Sequence, residues 1–287
     1  MQEQQVIYKP TGAVCLADMT VSQIRCFLQG DGGTGKTWSS LTFPNPTILS
    51  LDRGAGAHVG RSDVYEVPMY DDAFVKTICP DSQGVVNRKE AIVKWLKTEG
   101  QKLTSQQTLV VDNLTGIATA FHLYEDAHPT YSVRTGKVDE FAVWSNKVDY
   151  FGELCNLLKS LRCHVVFIGH ETPDRDKNGE YNGKFRPMIT GQFADQLRSH
   201  FTDYLRQLVC AKPDLSKADD KMVASIKANW NMSLDEFKTM CDSFKCPSLY
   251  YWQLYSDDLC NCKVSTMVGF PKYVPARYES FIKYLRK

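Results

Sequence analysis

The residues with the most direct chemistry in this chain are Gly30, Gly35, Lys36 and Thr37, spaced G-x4-G-K-T within FLQGDGGTGKTWSSL at positions 27–41. Backbone N–H groups wrap a polyphosphate only where no Cβ stands in the way, and Gly30, Gly32, Gly33 and Gly35 clear that path. Lys36 supplies a point charge for β- and γ-phosphate oxygens. The Thr37 hydroxyl supplies one oxygen to Mg²⁺, a cation that keeps most of its waters. With Asp31, Thr34 and Trp38 these residues make up an expected ATP-binding loop of Walker A type. An apolar strand before it and a helix-compatible run after it, positive dipole end toward the anion, are the context such a loop requires.

A carboxylate is needed beside the metal. The apolar run TLVV at 108–111 ends at Asp112, some 70 to 80 residues beyond Lys36, and an acid at such a strand tip lies where it can hold the Mg²⁺ hydration shell. Thr37 and Asp112 are therefore the expected metal residues; without the loop, Asp112 would read as an aspartate capping a strand. The run HVVFIG at 164–169 ends at His170. That tip suits either a polar sensor of the γ-phosphate or a histidine bonded to a neighbouring loop.

Elements of the right period surround these groups. Strands are expected at 23–28, 47–51, 64–67, 108–111, 164–169 and 204–210, with helices at 72–78, 89–97, 116–127 and 190–200. A long helix at 139–161 draws one apolar stripe through Phe141, Trp144, Val148, Phe151, Cys155, Leu158 and Leu161, read as core. Residues 1–20 suit a small hairpin. Residues 213–247 read as a helical insertion with a Ser233/Glu236 capping box. Residues 248–255 and 263–268 read as a C-terminal β-hairpin before a helix at 278–285; Tyr250, Tyr251, Trp252 and Tyr255 stiffen that hairpin or line a base pocket. The whole, 1–287, reads as one α/β domain, with a core of about 22–212.

Between two of these elements lies TPDRDKNGEYNGKFRPM at 172–188, too long and polar for a plain connector. Arg175, Lys177, Lys184 and Arg186 interleave with Tyr181 and Phe185, a mix that suits single-stranded DNA, cations tracking phosphates and rings stacking on bases. A solvated loop is the alternative. A net charge of +1 confines any nucleic acid to a local patch of this kind. No run of about 18 apolar residues crosses a membrane, and MQEQQVIYKP lacks a secretory layout, so a cytoplasmic protein is expected. Ten scattered cysteines in such a compartment read as free thiols, and Cys241-x4-Cys246 with Cys260-x-Cys262 misses the spacing of zinc ribbons.

Taken in order, GDGGTGKT, FPNPTILSLDRGAGA, TLVVDNLTGI, HVVFIGHE and KFRPMITGQFADQL resemble the RecA-like P-loop ATPases of bacteriophages, including the phage single-strand annealing and recombination ATPases. The resemblance covers roughly 22–210. It implies a mainly parallel central sheet flanked by helices, ATP at subunit boundaries of a homo-oligomer, and DNA contacts from loops after the strands, with a single-strand-binding protein or replisome component as a further partner. By the same resemblance 171–188 is a DNA-binding loop, His170 a γ-phosphate sensor, and Lys263 and Lys272 basic residues offered to a neighbouring nucleotide. One departure stands out: such enzymes place a glutamate after the second strand to orient the attacking water, whereas this chain has Asp52-Arg53-Gly54. Asp52 substitutes, Glu66 reaches in, or hydrolysis is slow. A nucleotide-gated adaptor or helicase loader, and a small-molecule P-loop kinase, are the competing functions.

Overall fold

The computed structural model describes residues 23–80, 86–176, 178–189 and 193–285; the expected hairpin at 1–20 and Lys177 lie outside them. In chain order the elements are β1 (Arg25–Gly30), α1 (Lys36–Ser40), β2 (Pro46–Ser50), β3 (Tyr65–Pro68), α2 (Asp72–Ile78), α3 (Arg88–Thr98), β4 (Thr108–Asp112), α4 (Leu114–Ala127) and α5 (Glu140–Ser160). Then come β5 (His164–Arg175), β6 (Tyr181–Pro187), α6 (Phe193–His200), β7 (Asp203–Ala211), α7 (Asp220–Trp230), α8 (Leu234–Ser243), β8 (Ser248–Gln253), β9 (Lys263–Val264), β10 (Tyr273–Pro275) and α9 (Tyr278–Ile282).

The sheet runs β10-β8-β7-β1-β5-β4-β2-β3, and every pairing from β7 to β3 is parallel. This is the expected α/β core, a mainly parallel sheet with helices on its faces. Parallel strands covered on both faces need apolar residues on both, and β4 meets that demand: Leu109 and Val111 enter one core, Val110 the other. Helices α3, α4, α5 and α6 cover the first face, whereas α9 with Phe43 and Trp252 covers the second. The insertion forms a third cluster, in which Ile226, Trp230, Phe237, Cys241 and Phe244 close over Leu249. Its capping box is present as expected.

Three expectations are corrected. The stretch 172–188 is a β-hairpin rather than a loop: β5 continues past Gly169 to Arg175 and β6 returns antiparallel, with Thr172 opposite Arg186. Both arms are polar because neither covers a core, which hides their strand period, and Gly179 (φ 82) turns the chain between them. Residues 248–255 and 263–268 do not form a hairpin with each other. The nine-residue β7 offers a long open edge whose N–H and C=O groups need partners, and β8 takes Arg206–Ala211 while β9 takes Asp203 and Tyr204. Along α5, finally, Phe151, Leu154, Cys155 and Leu158 are buried, but Phe141 and Trp144 are 76% and 41% exposed. A 21-residue helix is about 31 Å long, whereas a five-residue strand such as β4 spans about 17 Å, so the first turns of α5 overhang the sheet.

Candidate functional site

The end of β1 delivers the glycine-rich loop to the point where the strand order turns outward, β5 on one side and β7 on the other. Gly30 pairs in register with His170 of β5. A Cβ on Gly30 would stand 2.7 Å from the Gln207 carbonyl oxygen, so only glycine leaves the strand here. Gly35 takes φ 78 ahead of α1, a left-handed conformation that again favours glycine.

Lys36 is buried, its Nζ donating to the carbonyl oxygens of Gly30 (3.0 Å) and Asp31 (2.7 Å). Burial pushes its ammonium down from the ordinary lysine range, against the carboxylates of Asp112, Glu171 and Asp31. Thr37 Oγ1 donates to Asp112 Oδ2 at 2.7 Å. The register of β4 on β2 and β5 brings Asp112 there, a buried carboxyl pushed up by burial and by Asp52, and held down by the Thr37 bond and by Lys36. A buried carboxylate opposite a hydroxyl is a hard-oxygen pair suited to Mg²⁺. Thr37 and Asp112 would hold that ion, which would supply positive charge against the phosphates.

Asn113 ties the next residues together. Its Oδ1 accepts the Gly116 N–H (2.9 Å) and so caps α4, while its Nδ2 donates to Asp52 Oδ2 (2.9 Å) and lies 3.5 Å from His170 Nε2. Asp52, Asn113 and His170 thus stand together on a cleft of about 370 Å³. Burial and the nearby Lys36 push His170 down from its ordinary value, which keeps it neutral at pH 7. Glu66 is a correction: it is exposed on β3, four inter-strand spacings from β1, or roughly 19 Å. Of the two candidates for the water-orienting acid, only Asp52 is beside Asn113 and His170.

Immediately after His170, Glu171 makes a bidentate pair with Arg206 of β7 (2.9 and 2.8 Å), both side chains buried, and Gln29 Nε2 adds a bond at 3.1 Å. This strut crosses β1 and roots the β5–β6 hairpin. Beyond it, Tyr181 and Lys184 are exposed. Phe185 sits 4.5 Å under the Arg206 guanidinium, Arg186 pairs with Asp174 (3.2 Å), and Arg175 is bonded to the Gly179 carbonyl oxygen of the turn (2.7 Å). Lys263 and Lys272 are both engaged within the chain, Lys263 with the Phe201 carbonyl oxygen (3.0 Å) and Lys272 with Asp257 (3.2 Å).

With this geometry in place, the comparisons with known proteins identify the chain. A family model described as an AAA domain matches residues 22–242. The chain belongs to the AAA domain family. It is thus an AAA-type P-loop ATPase domain, and no curated protein has a sequence that matches it. Solved structures similar to this AAA domain include an ATPase of the type III secretion system of pathogenic bacteria (15% identity, 68% of this chain, 53% of that chain, TM-score 0.35). Two more are the RadB recombinase (14%, 68%, 78%, 0.34) and the ATPase EscN from the enteropathogenic E. coli secretion system, in complex with EscO (13%, 69%, 44%, 0.34). The alignments span about half of the two secretion ATPases. Among the described residues of the AAA domain, no helix is long and apolar enough to cross a membrane.

Sequence reasoning missed Asn113, and it missed the Gln29–Glu171–Arg206 strut. Asn113 had a signal, an asparagine directly ahead of a helical run. The strut had none, since Arg206 stands 35 residues from Glu171 and only the sheet order joins them.

Proposed function

We propose that this AAA-type domain hydrolyses Mg·ATP and couples the reaction to single-stranded DNA, in phage recombination, annealing or replication. The observation that carries it is continuity. One strand, β5, bears His170 beside the glycine-rich loop and then becomes the hairpin that presents Tyr181 and Lys184, with the Glu171–Arg206 strut fixed at the junction. A change at the phosphate end is thereby passed along a rigid element to a surface with a ring and a cation to offer DNA. Lys36 holds the phosphates, Thr37 and Asp112 hold the metal, and Asp52, positioned by Asn113, orients the attacking water.

The test is ATP turnover with and without single-stranded DNA, with Lys36→Ala as control. DNA raises the wild-type rate, and Lys184→Ala with Tyr181→Ala removes that stimulation but leaves basal turnover. Turnover that DNA leaves unchanged overturns the coupling.

A second reading, a nucleotide-gated adaptor with little turnover, is favoured by Asp52 itself. Its Oδ1 accepts the Gly54 N–H (2.8 Å) and its Oδ2 accepts Asn113, so both oxygens have partners before any water arrives. Asp52→Asn separates the two readings. In the ATPase it lowers turnover and leaves nucleotide affinity intact; in the adaptor it changes neither.

A further inference from the structure

On the side of the glycine-rich loop away from Asp112 lies a cavity of about 560 Å³, lined by Gly35, Trp38, Phe244, Tyr250 and Arg277 among others. We infer that this cavity takes the base of the bound nucleotide by stacking, an inference that rests on the reading of Lys36 and Thr37 as the phosphate site.

Position comes first. Gly35 immediately precedes Lys36, and a Cβ on it would stand 2.9 Å from the Tyr250 ring, so the loop backbone lies against that ring. Trp38 immediately follows Thr37, and the residue is 38% exposed. The cavity therefore opens directly beside the phosphate-binding loop. Strand order supports the same direction: Asp112 and His170 stand on β4 and β5, to one side of β1, whereas Tyr250 stands on β8, two strands away on the other. A nucleotide with its terminal phosphate at Asp112 has its base toward β8.

The walls have the chemistry of a flat heteroaromatic site. Trp38 lies 6.1 Å from Tyr250 and 6.3 Å from Phe244 between ring centroids, tilted 38° and 46°, so the three rings enclose the space instead of stacking on one another. The Arg277 guanidinium sits 4.2 Å from the Phe244 ring centre and bonds the Ser243 carbonyl oxygen at 3.1 Å. Its buried Nε has no hydrogen-bond partner among the described residues. Aromatic walls edged by the cations Arg277 and Lys245 fit a purine by stacking and cation–π attraction, and the volume is that of a small-molecule site. With so few groups able to read the edge of a base, discrimination between purines is weak. The helical insertion acquires a role as well: Phe244 follows α8, so the insertion closes one wall of the nucleotide site.

The test compares the affinity of the full chain for ATP and for inorganic tripolyphosphate, which has the phosphates without the base, both with Mg²⁺. Wild type binds ATP more tightly than tripolyphosphate, and GTP within about tenfold of ATP. Trp38→Ala and Tyr250→Ala each weaken ATP about tenfold and leave tripolyphosphate unchanged. Lys36→Ala weakens both ligands. Equal wild-type affinity for ATP and tripolyphosphate, or an unchanged ratio in Trp38→Ala, overturns the base pocket while leaving the phosphate site standing. A preference for one purine beyond tenfold overturns stacking without edge reading. Tyr250→Ala that loses both ligands has lost the loop's support, and the exposed Trp38 then decides. Binding of neither ligand by the wild type overturns the phosphate site and the base pocket together.

Discussion

The two flanks of the glycine-rich loop are built in different ways. On one flank Asp52, Asp112 and His170 each stand at the end of an apolar run, and parallel register carries all three tips to the same edge of the sheet. On the other flank Trp38 meets Phe244 and Tyr250, and Arg277 lies on Phe244; none of these ends a strand at that edge, and the meeting depends on how β8 and the insertion pack. The first flank is specified by backbone hydrogen bonding between neighbouring strands. The second is specified by contact among side chains and is sensitive to their size. The loop between them serves both, its lysine turned to one flank and its tryptophan to the other.

The largest expected effect lies under the polar flank. Glu171→Ala leaves Arg206 buried without its partner and lowers stability by about 3–5 kcal/mol, measured by chemical denaturation. A loss under about 1 kcal/mol would mean that the strut is not what anchors that flank. Next is Lys36→Ala, for which turnover falls by about 10²-fold or more, since a preorganised charge at the phosphates is removed. If the aromatic flank held the nucleotide by itself, this variant would keep the wild-type rate.

A smaller effect, on stability, comes from Asp112→Asn, which stabilises the nucleotide-free protein at pH 7. Burial and Asp52 hold the Asp112 carboxyl above its unfolded value, so folding favours its protonated form. That contribution is complete below the unfolded pKa of about 4 and is lost as pH rises through the folded one. Asparagine keeps the neutral state at every pH, so the variant's advantage in thermal unfolding grows from pH 4 to pH 7. An advantage that shrinks over that range would refute it. The smallest effect is His170→Gln. Burial and Lys36 hold His170 below its unfolded value of about 6.5, so wild-type stability falls slightly as pH drops through 6.5 and below. The glutamine variant lacks that part of the slope, and an identical slope in both proteins would show that His170 is not held neutral.

How much was legible follows the same division. Gly30 to Thr37, Asp112 and His170 could be read because each sits next to its own apolar run, and a strand carries its side chains to its own end. Glu66 was misplaced because sequence order does not reveal that β3 is the edge strand. The 172–188 hairpin was hidden because its arms bury no core and so show no alternation, and the exposure of Phe141 and Trp144 was hidden because a periodic stripe does not say where the sheet beneath it ends.

From the sequence alone, then, came the phosphate loop, the strand-tip acid, the parallel α/β core and the presence of the helical insertion. These depend on the order, spacing and period of neighbouring residues. Tertiary structure alone decided that Glu171 locks to Arg206, that Asn113 holds Asp52, and that Tyr250 and Phe244 face Trp38. Those contacts join elements distant in the chain, and their positions are settled only when the strands have taken their places in the sheet.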